Sequence, residues 1–77
     1  MKVEKTVLDI IANNVGFNVS ILDSLEGNLG MDSLDIVEVI LDLETEFGVN
    51  ITDEIGSGWI TVKDIIKSVT KILGDRK

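Results

Sequence analysis

Apolar residues recur three or four positions apart in three stretches of this chain. Val3, Val7, Ile10, Ile11 and Val15 form the first series, with Lys2, Lys5 and Asp9 elsewhere on the wheel. That spacing predicts a helix over 3–14, stopped by Asn13, Asn14 and Gly16. Leu34, Ile36, Val37, Val39, Ile40, Leu41, Leu43 and Phe47 form the second series. They are too many for one narrow stripe, so some must lie at the rim of the buried face. Asp32 suits the N-cap, with Asp35 three positions on as in a capping box with a shorter acid. Gly48 then ends the helix after Phe47. Its other face carries Asp35, Glu38, Asp42, Glu44 and Glu46.

The third series, Val62, Ile65, Ile66, Val69, Ile72 and Leu73, predicts a last helix from Thr61 to Gly74. Asp64 is the capping partner of Thr61, and Lys67 and Lys71 lie towards the C-terminal end, where the helix dipole favours cations. Ile51-Thr52-Asp53-Glu54-Ile55 predicts a short helix capped by Thr52 and broken at once by Gly56-Ser57-Gly58. Residues 16–32 keep no period. They mix Gly, Asn, Ser and Asp with Phe17, Val19, Ile21, Leu22, Leu25 and Leu29. This predicts a long connection pinned onto the core, with a short helical turn near Ile21–Ser24. Loops of that length are often functional. No alternating run is long enough for a sheet. The fold class is therefore all-α: a small four-helix bundle with three main helices, a short third helix and a long first loop, in one domain over 1–77.

Composition narrows the chemistry. The chain has no cysteine, histidine or proline. Disulfides and thiolate metal sites are out, as is the usual general base near neutral pH. A 77-residue chain buries only about 60% of its unfolded surface, so stability is modest. The Met1 end lacks a long apolar run, and no stretch approaches the roughly 18 apolar residues of a membrane span. The expectation is a cytoplasmic monomer with no stable membrane insertion. A net charge of −7 repels nucleic acid and anionic membrane.

The charge is also unevenly placed. From Thr6 to Val62 there are eleven of the fourteen acids and no Lys or Arg. The bases sit at the ends: Lys2, Lys5, Lys63, Lys67, Lys71, Arg76 and Lys77. Inside the acidic stretch, Gly30-Met31-Asp32-Ser33-Leu34-Asp35 puts a serine in the first turn of the second helix. Ser33 is a poor hydrolytic nucleophile. No histidine can activate it, no Gly-x-Ser-x-Gly elbow surrounds it, and Ile36 stands where a Ser-x-x-Lys would need lysine. As an acceptor it makes sense, because a helix start favours an attached phosphate. Asp32 and Asp35 repel that phosphate, so they are better explained as recognition points for a cationic or metal-bearing enzyme. Asp32 is placed to share a magnesium ion during transfer. A serine that merely caps its helix fits the same spacing.

Asn28-Leu29-Gly30-Met31-Asp32-Ser33-Leu34-Asp35, then Val37-Glu38, Leu43-Glu44-Thr45-Glu46-Phe47-Gly48 and a later Ile-Thr-x-Glu…Thr-Val segment, resembles the acyl carrier protein family. The similarity is strong from Asn28 to Val69 and looser before it. The resemblance implies a non-catalytic carrier. Ser33 would be esterified by phosphopantetheine, transferred from coenzyme A by a separate phosphopantetheinyl transferase. The arm's thiol would hold acyl intermediates as thioesters, in fatty-acid, lipid or polyketide-type biosynthesis. Asp32, Asp35, Glu38 and Glu44, with Val37 and Leu41 at the helix rim, would dock basic-surfaced synthase, ligase or transferase partners. The acyl chain can fold back into such a bundle. The lining implied here is Leu25, Val39, Leu43, Ile51, Trp59, Ile60, Val62 and Ile66, all of which also suit an ordinary core. No metal site is implied.

Several positions depart from the usual fatty-acid carrier pattern. Leu25 stands where phenylalanine is common, Asn28 where aspartate is frequent, and Thr52 where proline often follows the isoleucine. Thr45 interrupts the acidic run, and Gly56-Ser57-Gly58-Trp59 replaces a more helical, acidic segment. The glycine pair predicts a short or mobile third helix. Trp59, the only tryptophan, plugs the core or covers the pocket mouth, the plug being favoured. These departures point to a specialised carrier. Aminoacyl and peptidyl carriers share the bundle, and an acidic helical adaptor would need the charged face but not the Ser33 hydroxyl. A calcium sensor is disfavoured, because the acids lack EF-hand spacing. Self-repulsion among the acids gives a first prediction: moderate salt or a divalent cation raises the melting temperature. Melting curves indifferent to both would contradict it.

Overall fold

The computed structural model describes residues 3–75; Lys2, Arg76 and Lys77, among the terminal bases, lie outside the described residues. Four helices follow in order: α1 Val3–Val15, α2 Ser33–Phe47, α3 Asp53–Ser57 and α4 Val62–Asp75. Local sequence explains their ends. Asp32 caps α2 in a reciprocal box with Asp35, and the N–H of Gly48, in the left-handed region at φ 64°, bonds the Glu44 carbonyl. Thr52 caps α3 by accepting from the Ile55 N–H. Thr61 and Asp64 bracket the start of α4, where Asp64 Oδ2 accepts the N–H groups of Ile60 at 2.9 Å and Thr61 at 3.0 Å.

α1 packs against α2 and α4, and α3 against α2. Val7 and Ile11 of α1, Val39 and Leu43 of α2, and Val62, Ile65 and Val69 of α4 are wholly buried where the long helices meet. The long first loop closes one end of this core with Leu25, Leu29 and Met31, all buried. Main-chain bonds stitch it to the start of α4: Leu25 N–H to Ile60 O, Val62 N–H to Asp23 O, and Lys63 N–H to Ile21 O. Ser24 and Asn28 close a turn reciprocally. The Ser24 N–H donates to Asn28 Oδ1 at 2.8 Å, and the Asn28 N–H donates to Ser24 Oγ at 2.9 Å. Asn28 thus supplies an acceptor oxygen without adding charge. Across the helices, Asn14 Nδ2 donates to Asp42 Oδ2 at 3.1 Å, tying α1 to α2.

Three local expectations change. Ser20–Asp23 forms a hydrogen-bonded turn, with the Asp23 N–H on the Ser20 carbonyl, instead of a helical turn near Ile21–Ser24. Gly74 lies inside α4, which continues to Asp75. Gly56 does not break α3, which runs to Ser57. Its absent side chain serves packing: a Cβ there would stand 2.7 Å from Ile40 Cδ1. Among the described residues, no helix is long and apolar enough to cross a membrane.

The Asp64 box predicts an acid-sensitive contribution to stability. Hydrogen bonds from the Thr61 and Ile60 N–H groups, the Thr61 hydroxyl and the charge of Lys67 together hold the Asp64 carboxyl below its ordinary range, against a smaller opposing effect of burial. A lowered folded-state value stabilises above the ordinary carboxylate pKa, and that stabilisation fades as pH falls through the lowered value. Loss of the hydrogen bonds that Asp64 accepts from Ile60 and Thr61 should make Asp64→Ala less stable at neutral pH by about 1 kcal/mol, roughly 4–8 °C in Tm. Thermal melts in strong acid should show the gap to the parent shrinking.

Candidate functional site

Ser33 is the first residue of α2, directly after its cap. The capping work is done by the acids on either side. Asp32 Oδ1 accepts the Asp35 N–H at 3.0 Å, and Asp35 Oδ2 accepts the Asp32 N–H at 3.1 Å. The Asp32 carbonyl takes the Ile36 N–H. This accounts for the third and fourth amides of the helix and leaves those of Ser33 and Leu34 without a carbonyl to meet. The Ser33 side chain is exposed, and its hydroxyl has no hydrogen-bond partner among the described residues. The spacing that also allowed Ser33 to be a plain cap is resolved: Asp32 is the cap.

Gly30, at φ 63°, turns the loop into this helix start. That left-handed conformation is one a side chain would strain. The turn leaves Met31 buried and Asp32 and Ser33 outside.

A cleft of about 290 Å³ begins at Ser33. Leu25, Glu26 and Met31 of the loop form one side, Asp32, Ile36, Val37 and Ile40 another, and Asp53, Gly56, Ser57 and Trp59 the third. Ile36 and Ile40 stand three and seven residues beyond Ser33, on the same side of the helix. The Trp59 side chain is nearly buried, 9% exposed, and its Nε1 donates to Ser68 Oγ on α4 at 2.9 Å. It is both a plug against the core and a wall of the cleft. The residues fit a phosphate ester with an apolar extension. They offer a spare hydroxyl, two open amides at a helix start, and a mostly apolar channel leading away from them.

Of the residues expected to line an acyl pocket, only Leu25 and Trp59 border this cleft. Val39, Leu43, Ile51 and Val62 are buried in the core, and Ile66 packs half-buried against it. Ile60 does not border this cleft. Its carbonyl is bound by the Leu25 N–H, and its side chain is 69% exposed. Sequence reasoning missed Met31, Ile36, Ile40 and Gly56; the spacing of Ile36 and Ile40 from Ser33 was the available signal.

On the outer face of α2, Glu38 is exposed, Val37 and Leu41 are largely so, and Asp35 is half-buried in its box. Leu34, 73% exposed, joins them without having been expected. Glu44 is different, because its Oε2 accepts the Ile51 N–H at 2.8 Å and so ties α2 to the link before α3.

Comparison with known proteins agrees with this geometry. A family profile described as "Phosphopantetheine attachment site" matches residues 5–69. An acyl carrier protein of Syntrophobacter fumaroxidans is 41% identical over 68 residues, 84% of each chain. One of Sinorhizobium fredii is 38% identical over 73 residues, covering 91% of this chain and 88% of that one. The crystal structure of an acyl carrier protein from Thermotoga maritima superposes with a TM-score of 0.83 at 29% identity, over all of this chain and 96% of that one. The chain therefore belongs to the acyl carrier protein family, whose members are non-catalytic carriers of a covalent phosphopantetheine installed by a separate transferase.

Proposed function

We propose that Ser33 is the attachment residue and that this chain carries acyl intermediates in fatty-acid, lipid or polyketide-type biosynthesis in the cytoplasm. The observation that carries the assignment is the idle Ser33 hydroxyl, exposed beside an apolar cleft while Asp32 does the capping. In the transfer, the Ser33 Oγ–P bond forms as the pyrophosphate bond of coenzyme A breaks. The nucleotide part leaves, and the hydroxyl proton passes to a base on the transferase, since this chain has no histidine. The open amides of Ser33 and Leu34 favour the resulting phosphodiester. Asp32 keeps Oδ2 outside its box and can share the transferase's magnesium through it. When attached, the group supplies the thiol that this chain lacks, and the cargo is held there as a thioester.

Docking is assigned to the outer face of α2. Asp32, Asp35 and Glu38 supply charge, and Val37 and Leu41 supply apolar contact. Glu44 takes part with its remaining oxygen. Complementary charge of this kind speeds encounter with basic-surfaced partners and makes it salt-sensitive. Trp59 and Gly56, which line the cleft, together with Gly58 beside them support a specialised member of the family.

Intact-protein mass spectrometry tests the attachment. After incubation with coenzyme A, magnesium and a broad-specificity transferase, the parent should gain one phosphopantetheine and Ser33→Ala none. No gain by the parent, with a control carrier modified, would favour an acidic adaptor. Stability separates the two neighbours in a second test. Ser33→Ala should leave Tm within a degree or two, whereas Asp32→Ala should lower it by roughly 4–8 °C through loss of about 1 kcal/mol of capping. Equal losses from both would mean that Ser33 is structural.

A further inference from the structure

We propose that Trp59, latched by Ser68, sets the longest acyl group that this carrier shelters. The inference rests on Ser33 being the attachment residue. Trp59 borders the Ser33 cleft on one side and a second recess of about 500 Å³ between α3 and α4 on the other. Trp59 thus stands between the two, and it also borders a third recess, lined mainly by polar groups, with Glu26, Ser57 and Ile60. Its position is held by the 2.9 Å bond from Nε1 to Ser68 Oγ, which is partly buried. Turning the ring aside breaks that bond, and an indole N–H left buried without a partner is costly.

The α2–α3 contact beside Trp59 is close as well. Gly56 brings α3 so close to α2 that a methyl group there would meet Ile40. The Ser33 cleft, at about 290 Å³, lies just below the roughly 300–1,000 Å³ usual for small-molecule sites. An apolar chain threaded from the Ser33 side fills it and then meets the indole. Beyond the indole the lining mixes Ile55 and Ile72 with Asp64, Ser68 and Lys71, a less apolar path for methylenes than the Ser33 cleft. Longer chains must displace Trp59 or leave their ends in water.

The test loads the parent, Trp59→Leu and Ser68→Ala with butanoyl, octanoyl, dodecanoyl and hexadecanoyl phosphopantetheine. Mass spectrometry confirms one group per chain, and Tm and tryptophan emission are then recorded. Each sheltered methylene raises Tm by roughly 3–6 °C. In the parent, the rise should flatten before dodecanoyl. In Trp59→Leu the flattening should move to longer chains. Ser68→Ala, which keeps the indole, should move it the same way, with a change of emission on the dodecanoyl form. A parent Tm that climbs steadily to hexadecanoyl overturns the proposal, as does a flattening point common to all three proteins. Should Trp59→Leu fail to fold, the parent series and Ser68→Ala decide the matter. Failure of the parent to accept any group removes the Ser33 assignment and this proposal together; acceptance with an unmoved flattening point removes this proposal alone.

Discussion

Two hydrogen bonds between Asp32 and Asp35 fix where α2 begins, and the rest of the site follows from that register. A helix advances about 100° per residue. Slipping the whole of α2 by one residue about its axis would carry Ser33 off the mouth of the cleft and turn Ile36 and Ile40 away from α3. It would also swing Val39 and Leu43 out of the core, where both are now wholly buried. The core opposes such a slip through burial and the box opposes it through geometry. The hydroxyl is therefore presented from a rigid place without being consumed by the cap.

The first loop has a similar double role. Leu25, Leu29 and Met31 bury against the helices, while the main-chain bonds to Ile60, Val62 and Lys63 join the loop to the start of α4. A connection of this length cannot be left loose in so small a domain, because its apolar residues would be exposed and its ordering would gain nothing. Pinning it also forms one side of the Ser33 cleft. The same bonds push Ile60 outward and aim Trp59 inward, so the loop and the α3–α4 link together determine what faces the cleft.

The helices and their caps were legible in the sequence because they depend on residues three or four apart. Asp32 with Asp35, Thr52 with Ile55, and Thr61 with Asp64 all act within one turn. The cleft was not legible in the same way, because it depends on which surfaces meet. Gly56 reads as a breaker by propensity, yet it is helical, since contact with Ile40 favours a residue without a side chain more than propensity disfavours it. Val39, Leu43, Ile51 and Val62 could be identified as buried from their pattern but not separated from a pocket lining. Burial is a property of periodicity, whereas lining a cleft depends on packing defects that periodicity does not encode. Ile60 faces away from the Ser33 cleft for a related reason: a link residue takes its direction from main-chain bonds made far away in sequence.

Charge imposes the remaining constraint. Most of the acids lie in a stretch without a single base, so the fold accepts repulsion that a mixed surface would avoid. Lys5 and Asp9 pair at 3.0 Å on α1, but that exposed pair does little to offset it. Some of the acids are put to structural use, as Asp35 in its box, Asp42 with Asn14, and Glu44 with Ile51 show. In each, one oxygen is bound within the chain, and a carboxylate can still present its charge and second oxygen outward. The same residues therefore hold α2 in register and give it a negative face. On the docking proposed for this face, a partner that grips α2 meets Ser33 in a fixed position relative to it, because one helix carries both the charge and the hydroxyl.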